Sequence, residues 1–130
     1  MPKLLLIDDD EELCEELAQV LASEGFDVDV AMDGLQGLQY VQAGHYEVII
    51  LDLKLPGLDG FGVLQNVSKE ARPPKVIVVS GRPMGDNLLK PKDLSRDAED
   101  GILNLADVVV NKPFKVETLI QTVRQLLKPT

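Results

Sequence analysis

The placement of apolar residues constrains this chain more than any other feature. Residues 4–7, 48–51, 76–79 and 108–110 are apolar without a break. Continuous runs of this length mark strands buried on both faces, as in a parallel sheet, rather than strands with one wet face. The segment Phe26-Asp27-Val28-Asp29-Val30 alternates instead, which predicts a strand near the sheet edge.

Helical patterns separate these runs. Leu13, Leu17, Val20 and Leu21 form a stripe at helical spacing, with Asp10 as N-cap, Glu11 and Glu12 in the first turn and Gly25 at the stop. Leu35, Leu38 and Val41 mark a second helix closing near Gly44. Phe61, Leu64 and Val67 mark a third, which ends before Pro73-Pro74. Residues 94–105 read as a further helix interrupted by Gly101. Val116, Leu119, Ile120, Val123, Leu126 and Leu127 mark the last. This β-α alternation, five times over, predicts an α/β fold: a doubly wound five-stranded parallel sheet with right-handed crossovers.

The 130 residues suit one domain. Lys and Arg number 13 against 22 Asp and Glu, a net charge of −9. That balance argues against a nucleic-acid or anionic-lipid surface. One cysteine, Cys14, excludes an internal disulfide and a cysteine zinc cage, and fits a reducing, cytoplasmic compartment. No apolar run reaches the ~20 residues of a membrane span, and the start of the chain does not look like a signal peptide.

Chemistry enters where the runs end. Ile7 is followed by Asp8-Asp9-Asp10, Leu51 by Asp52, Val79 by Ser80, and Val110 by Asn111-Lys112. In open α/β sheets, ligands bind beyond the carboxyl ends of the strands, where the strand order reverses. If these ends are neighbours, three carboxylates, a hydroxyl and an ammonium share a crevice. Crowded carboxylates repel, and a divalent cation held by a few hard oxygens relieves the repulsion; Mg²⁺ suits such a set. Each group alone has a plainer reading: Asp8–Asp10 as a helix start, Asp52 and Ser80 as turn formers, Lys112 as a solvated lysine. Their joint placement at four strand ends favours a site.

Four segments, Leu-Leu-Ile-Asp-Asp-Asp, Ile-Ile-Leu-Asp-Leu-Lys-Leu-Pro-Gly-Leu-Asp-Gly, Val-Val-Ser-Gly and Asn-Lys-Pro-Phe, resemble the response-regulator receiver domain of two-component (phosphorelay) signalling. The resemblance covers essentially the whole chain, taken as one receiver domain over residues 1–130. It implies a flavodoxin-like (βα)5 fold with strand order 2-1-3-4-5. It also implies that Asp52 accepts a phosphoryl group from the phosphohistidine of a histidine kinase or phosphotransfer protein. Asp8, Asp9, Asp52 and the Lys54 backbone carbonyl would hold Mg²⁺, or Mn²⁺ in its place. Ser80 and Lys112 would contact the phosphoryl group, with a cis bond expected at Pro113. Lys54 and Arg82 would flank the path of the hydrolytic water and set phosphate lifetime. Such a domain is not an enzyme beyond its own phosphorylation and dephosphorylation. It would pass the signal to an unidentified protein target, with dimerisation open to it and no direct contact with nucleic acid or membrane.

Two departures from the family pattern stand out. Val109 occupies the strand-five position, three before Lys112, where the family usually has an aromatic residue. Either the switch is built differently or activation is read through the loop after Ser80. The stretch between Ser80 and Lys112 is also longer than the pattern, with the surplus between Arg82 and Arg96. Long loops in compact domains are usually functional or disordered, so a partner contact or a lid is expected there. The competing functions are a degenerate receiver used as a phosphorylation-independent interaction module, a flavodoxin-like cofactor binder and an aspartyl-nucleophile phosphatase. Asp8–Asp10 would repel an FMN phosphate, and the phosphatase's second Asp is here Lys54. Outside the site, Cys14 reads as a small packed thiol, His45 as an exposed loop residue and Tyr40 and Tyr46 as packing groups. Glu11, Glu12, Glu15 and Glu16 read as a solvated helix face, with kinase contact a lesser reading.

Overall fold

The computed structural model describes residues 2–53, 60–80, 105–111 and 114–127. In chain order these form β1 (Lys3–Ile7), α1 (Glu11–Ser23), β2 (Asp27–Ala31), α2 (Gly34–Ala43), β3 (Val48–Asp52), α3 (Gly60–Val67), β4 (Lys75–Ser80), β5 (Val108–Asn111) and α4 (Val116–Leu127). The five strands pair in the order β2-β1-β3-β4-β5, all parallel. Three of the uninterrupted apolar runs are the central strands β1, β3 and β4, and all of β3 is buried. The fourth, residues 108–110, is instead the edge strand β5, whose residues alternate between half-buried and exposed because only one side of it pairs with the sheet. The alternating segment is the edge strand β2, as its pattern predicts.

Successive side chains of a strand point to opposite faces, so each central strand feeds two cores. Leu5, Ile7, Ile49, Leu51 and Val78 pack with Val63 and Leu64 of α3 and Val41 of α2. Leu4, Leu6, Ile50 and Ile77 pack with Leu17 and Leu21 of α1 and Leu119 and Val123 of α4. The stripes expected for α1, α3 and α4 are therefore the buried faces. On α2 the stripe is rotated. Leu35 is 61% exposed, while Gly34, Gly37 and Val41 face the sheet. The reason is closeness: a methyl on Gly37 would lie 2.6 Å from Cδ1 of Ile7, so the helix rests on the sheet through glycine. The helix expected over residues 94–105 lies outside the described residues except at Leu105, which is in a turn. No helix among the described residues is long and apolar enough to cross a membrane.

At the amino end of the sheet, charged groups meet in opposite pairs. Lys3 Nζ lies 3.8 Å from Asp29 Oδ2, and 5.0 Å from the centre of the Tyr46 ring. The Tyr46 hydroxyl donates to the same Asp29 oxygen at 2.8 Å. Asp107 clamps the start of β4: its carboxylate accepts from the Val76 N–H at 2.8 Å, its own N–H donates to the Val76 carbonyl at 2.9 Å, and Lys75 stands 3.8 Å away.

Candidate phosphoacceptor and metal site

Strand register brings the acidic residues together. Ile7 pairs with Leu51, which places Asp8 beside Asp52 as the chain leaves β1 and β3. Asp52 in turn pairs with Val79, and Ser80, the last residue of β4, pairs with Asn111. Carboxylate oxygens of Asp8, Asp9 and Asp52 lie within 4.8 Å of one another. Asp8 is 3% exposed and Asp52 6%, whereas Asp9 is open to solvent.

The acidic triplet divides its work, which resolves why one helix start should carry three acids. Asp10 is the N-cap of α1, its Oδ1 accepting from the Leu13 N–H at 3.2 Å. Asp8 folds back, with Oδ1 accepting from the Asp10 N–H at 2.9 Å, so its carboxylate is oriented by the loop it begins. Asp9 contributes to the cluster from the solvent side.

Two contacts beneath the cluster were not anticipated from the sequence. The buried Cys14 thiol donates to the Asp8 backbone carbonyl at 3.3 Å, tying α1 to the end of β1. Burial, and then the neighbouring carboxylates led by Asp8, push this thiol from 9.0 up to about 12. It is a neutral donor, which agrees with a packing role and not a redox one. The spacing of Cys14, Leu17 and Leu21 at i, i+3 and i+7 was the signal for its burial. The second contact is Gly60, the first residue of α3, whose N–H donates to the Leu53 carbonyl at 3.0 Å. Nothing in the spacing of residues reveals that approach.

The donor set fits a hard divalent cation. All three groups are carboxylates, they converge from two strand ends, and two of them are shielded from bulk water. Ligands on opposite sides of an octahedral Mg²⁺ stand about 4 Å apart, so small side-chain rotations close the observed spread. Lys54, Lys112 and Pro113 lie outside the described residues, as does the whole stretch from Arg82 to Arg96. Val109 lies across from Val78 in the sheet and is 37% exposed, an aliphatic residue on the surface where the family pattern has an aromatic one.

Comparison with known proteins agrees with this geometry. The family model of the response regulator receiver domain matches residues 4–124, and the chain belongs to that family. The CpxR homolog of Haemophilus influenzae, a transcriptional regulatory protein, is 34% identical over 128 residues, covering 98% of this chain and 51% of the relative. The transcriptional regulator RpaA of Synechocystis is 33% identical over 130 residues, covering 100% of this chain and 51% of the relative. The chain thus spans about half the length of these curated relatives. Among solved structures, the Thermotoga maritima response regulator TrrA in complex with Mg²⁺-BeF superposes with a TM-score of 0.80 at 28% identity, covering 98% of this chain and 100% of that one. TrrA bound to the histidine kinase ThkA gives a TM-score of 0.80 at 27% identity, again covering 98% and 100%.

Proposed function

We propose that this receiver domain takes a phosphoryl group onto Asp52 from the phosphohistidine of a histidine kinase or phosphotransfer protein, and hands the resulting surface change to a protein target. The observation that carries the reading is the convergence of Asp8, Asp9 and Asp52 at the carboxyl end of the sheet. A carboxylate oxygen of Asp52 attacks phosphorus, the P–N bond breaks, and the imidazole leaves with its electron pair and is protonated. Phosphoryl transfer asks chiefly for positioning and charge stabilisation. A divalent cation, Mg²⁺ by the chemistry of the donors, would supply the positive charge, held by Asp8, Asp9 and Asp52 with the Lys54 carbonyl. Ser80 and Lys112 are proposed to meet the phosphoryl oxygens. Support comes from the relatives: TrrA was crystallised with Mg²⁺-BeF and with a histidine kinase. The transcriptional role of the longer relatives suggests an output domain elsewhere in such proteins.

The test is direct. Incubation with a small acyl-phosphate donor and Mg²⁺, followed by intact mass, is expected to give one acid-stable, base-labile phosphate adduct. Asp52→Asn is expected to abolish it. Absence of an adduct, under conditions where a control regulator reacts, would favour a phosphorylation-independent interaction module.

A further inference from the structure

Gly60 makes an approach to the site that no other side chain could share. A methyl built on its Cα would overlap Cα of Leu53 and lie 2.6 Å from the Asp52 carbonyl oxygen and 2.9 Å from the Leu53 carbonyl carbon. All three are backbone atoms, so no rotamer change relieves the overlap. The same peptide is held from the other side, where the Leu53 N–H donates to the Val79 carbonyl at 3.3 Å. The backbone that carries the Asp52 carboxylate is therefore pressed between β4 and the first residue of α3.

We infer that Gly60 is a positioning residue for Asp52: its missing side chain lets α3 seat on the Asp52–Leu53 peptide and hold the Asp52 carboxylate within ion-sharing distance of Asp8 and Asp9. This rests on the proposed roles of Asp52 and the metal. Displacing the peptide by a methyl's width would move the Asp52 carboxylate against two groups that the β1–α1 loop holds in place. Loss of the outer contacts that orient metal ligands typically lowers affinity by about ten- to a hundredfold.

Gly37 supplies the control. Its added methyl would also meet an atom at 2.6 Å, but that atom is Cδ1 of Ile7, the tip of a flexible side chain. Gly60→Ala and Gly37→Ala are compared for melting temperature and, while folded, for Mg²⁺ affinity by calorimetry. Both variants are expected to melt lower than wild type. Gly60→Ala alone should bind Mg²⁺ about tenfold more weakly. Equal Mg²⁺ affinity in the two variants would overturn the inference and leave the acceptor reading standing. Wild-type protein that binds no Mg²⁺ would take both down. A measurement on the wild type covers a Gly60→Ala chain that does not fold. Amide exchange at Gly60 should slow on Mg²⁺ addition with the same half-saturation as at Leu53; an unchanged Gly60 amide would overturn the inference.

Discussion

The two ends of the sheet treat the same residue type in opposite ways. At the amino end, Asp29 faces Lys3 and the Tyr46 hydroxyl, and Asp107 faces Lys75 and the Val76 N–H. These carboxylates staple strands and loops together. At the carboxyl end, Asp8, Asp9 and Asp52 face one another. The parallel sheet makes this division available, because every strand ends on the same side and the residues just beyond the strands meet there. An acid's role in this domain depends on the sheet end at which it lies, and the contrast can be tested by substitutions whose effects should differ in sign.

The largest expected effect is on stability at alkaline pH, and it separates the ends by titration. Burial raises the proton affinity of both Cys14, near the acidic cluster, and Tyr46, beside Asp29. The folded state therefore holds these protons in a range where the unfolded chain has lost them. Stability from Cys14 is complete below pH 9 and is lost as the pH rises toward about 12. The slope is on the order of 1 kcal/mol per pH unit. Cys14→Ala should flatten the decline of melting temperature above pH 9, and Tyr46→Phe should flatten only its later part. Identical profiles for Cys14→Ala and wild type would show that the thiol is not held neutral by the fold.

Next in size is metal affinity. Asp9→Asn removes a ligand charge and should weaken Mg²⁺ binding by at least about tenfold, measured by calorimetry. Asp29→Asn, at the other end, should leave it unchanged. Comparable losses in both would mean that net charge, and not the cluster, governs binding.

The smallest effects test the contrast by sign. Asp107→Ala leaves the Val76 N–H without its carboxylate acceptor and should destabilise the metal-free protein by about 1–3 kcal/mol. The exposed pairing with Lys75 adds little to that. Asp52→Asn relieves repulsion among crowded carboxylates and should stabilise the metal-free fold by about 1 kcal/mol, a rise of a few degrees in melting temperature. Denaturant titration of both variants without Mg²⁺ reads the two signs. A loss of stability in each would break the comparison.

Much of this was legible because it depends on short-range patterns. The break-free runs at 4–7 and 48–51 pointed to strands buried on two faces, and the alternation at 27–30 to an edge, whereas the equally break-free run at 108–110 became the other edge strand. Leu35 misled as part of the α2 stripe because periodicity does not foresee how closely a helix seats. Gly37 lets α2 rest on Ile7, and that turns Leu35 outward. The candidate site residues could be named from the polar positions just past each apolar run. Their meeting depended on register between segments more than forty positions apart, such as Ile7 against Leu51.

Local order along the chain was thus enough to determine the α/β class, the buried strands, the capping of α1 by Asp10 and the residues that could bear chemistry. These are set by neighbours within a turn or two of backbone, where hydrophobic spacing and hydrogen-bond geometry act directly. Tertiary structure alone decided that Asp8 folds inward while Asp9 stays in solvent, that Cys14 holds the Asp8 carbonyl, and that Gly60 lies against the Asp52 peptide. Those facts are distances between elements, created only when packing brings remote backbones within van der Waals contact.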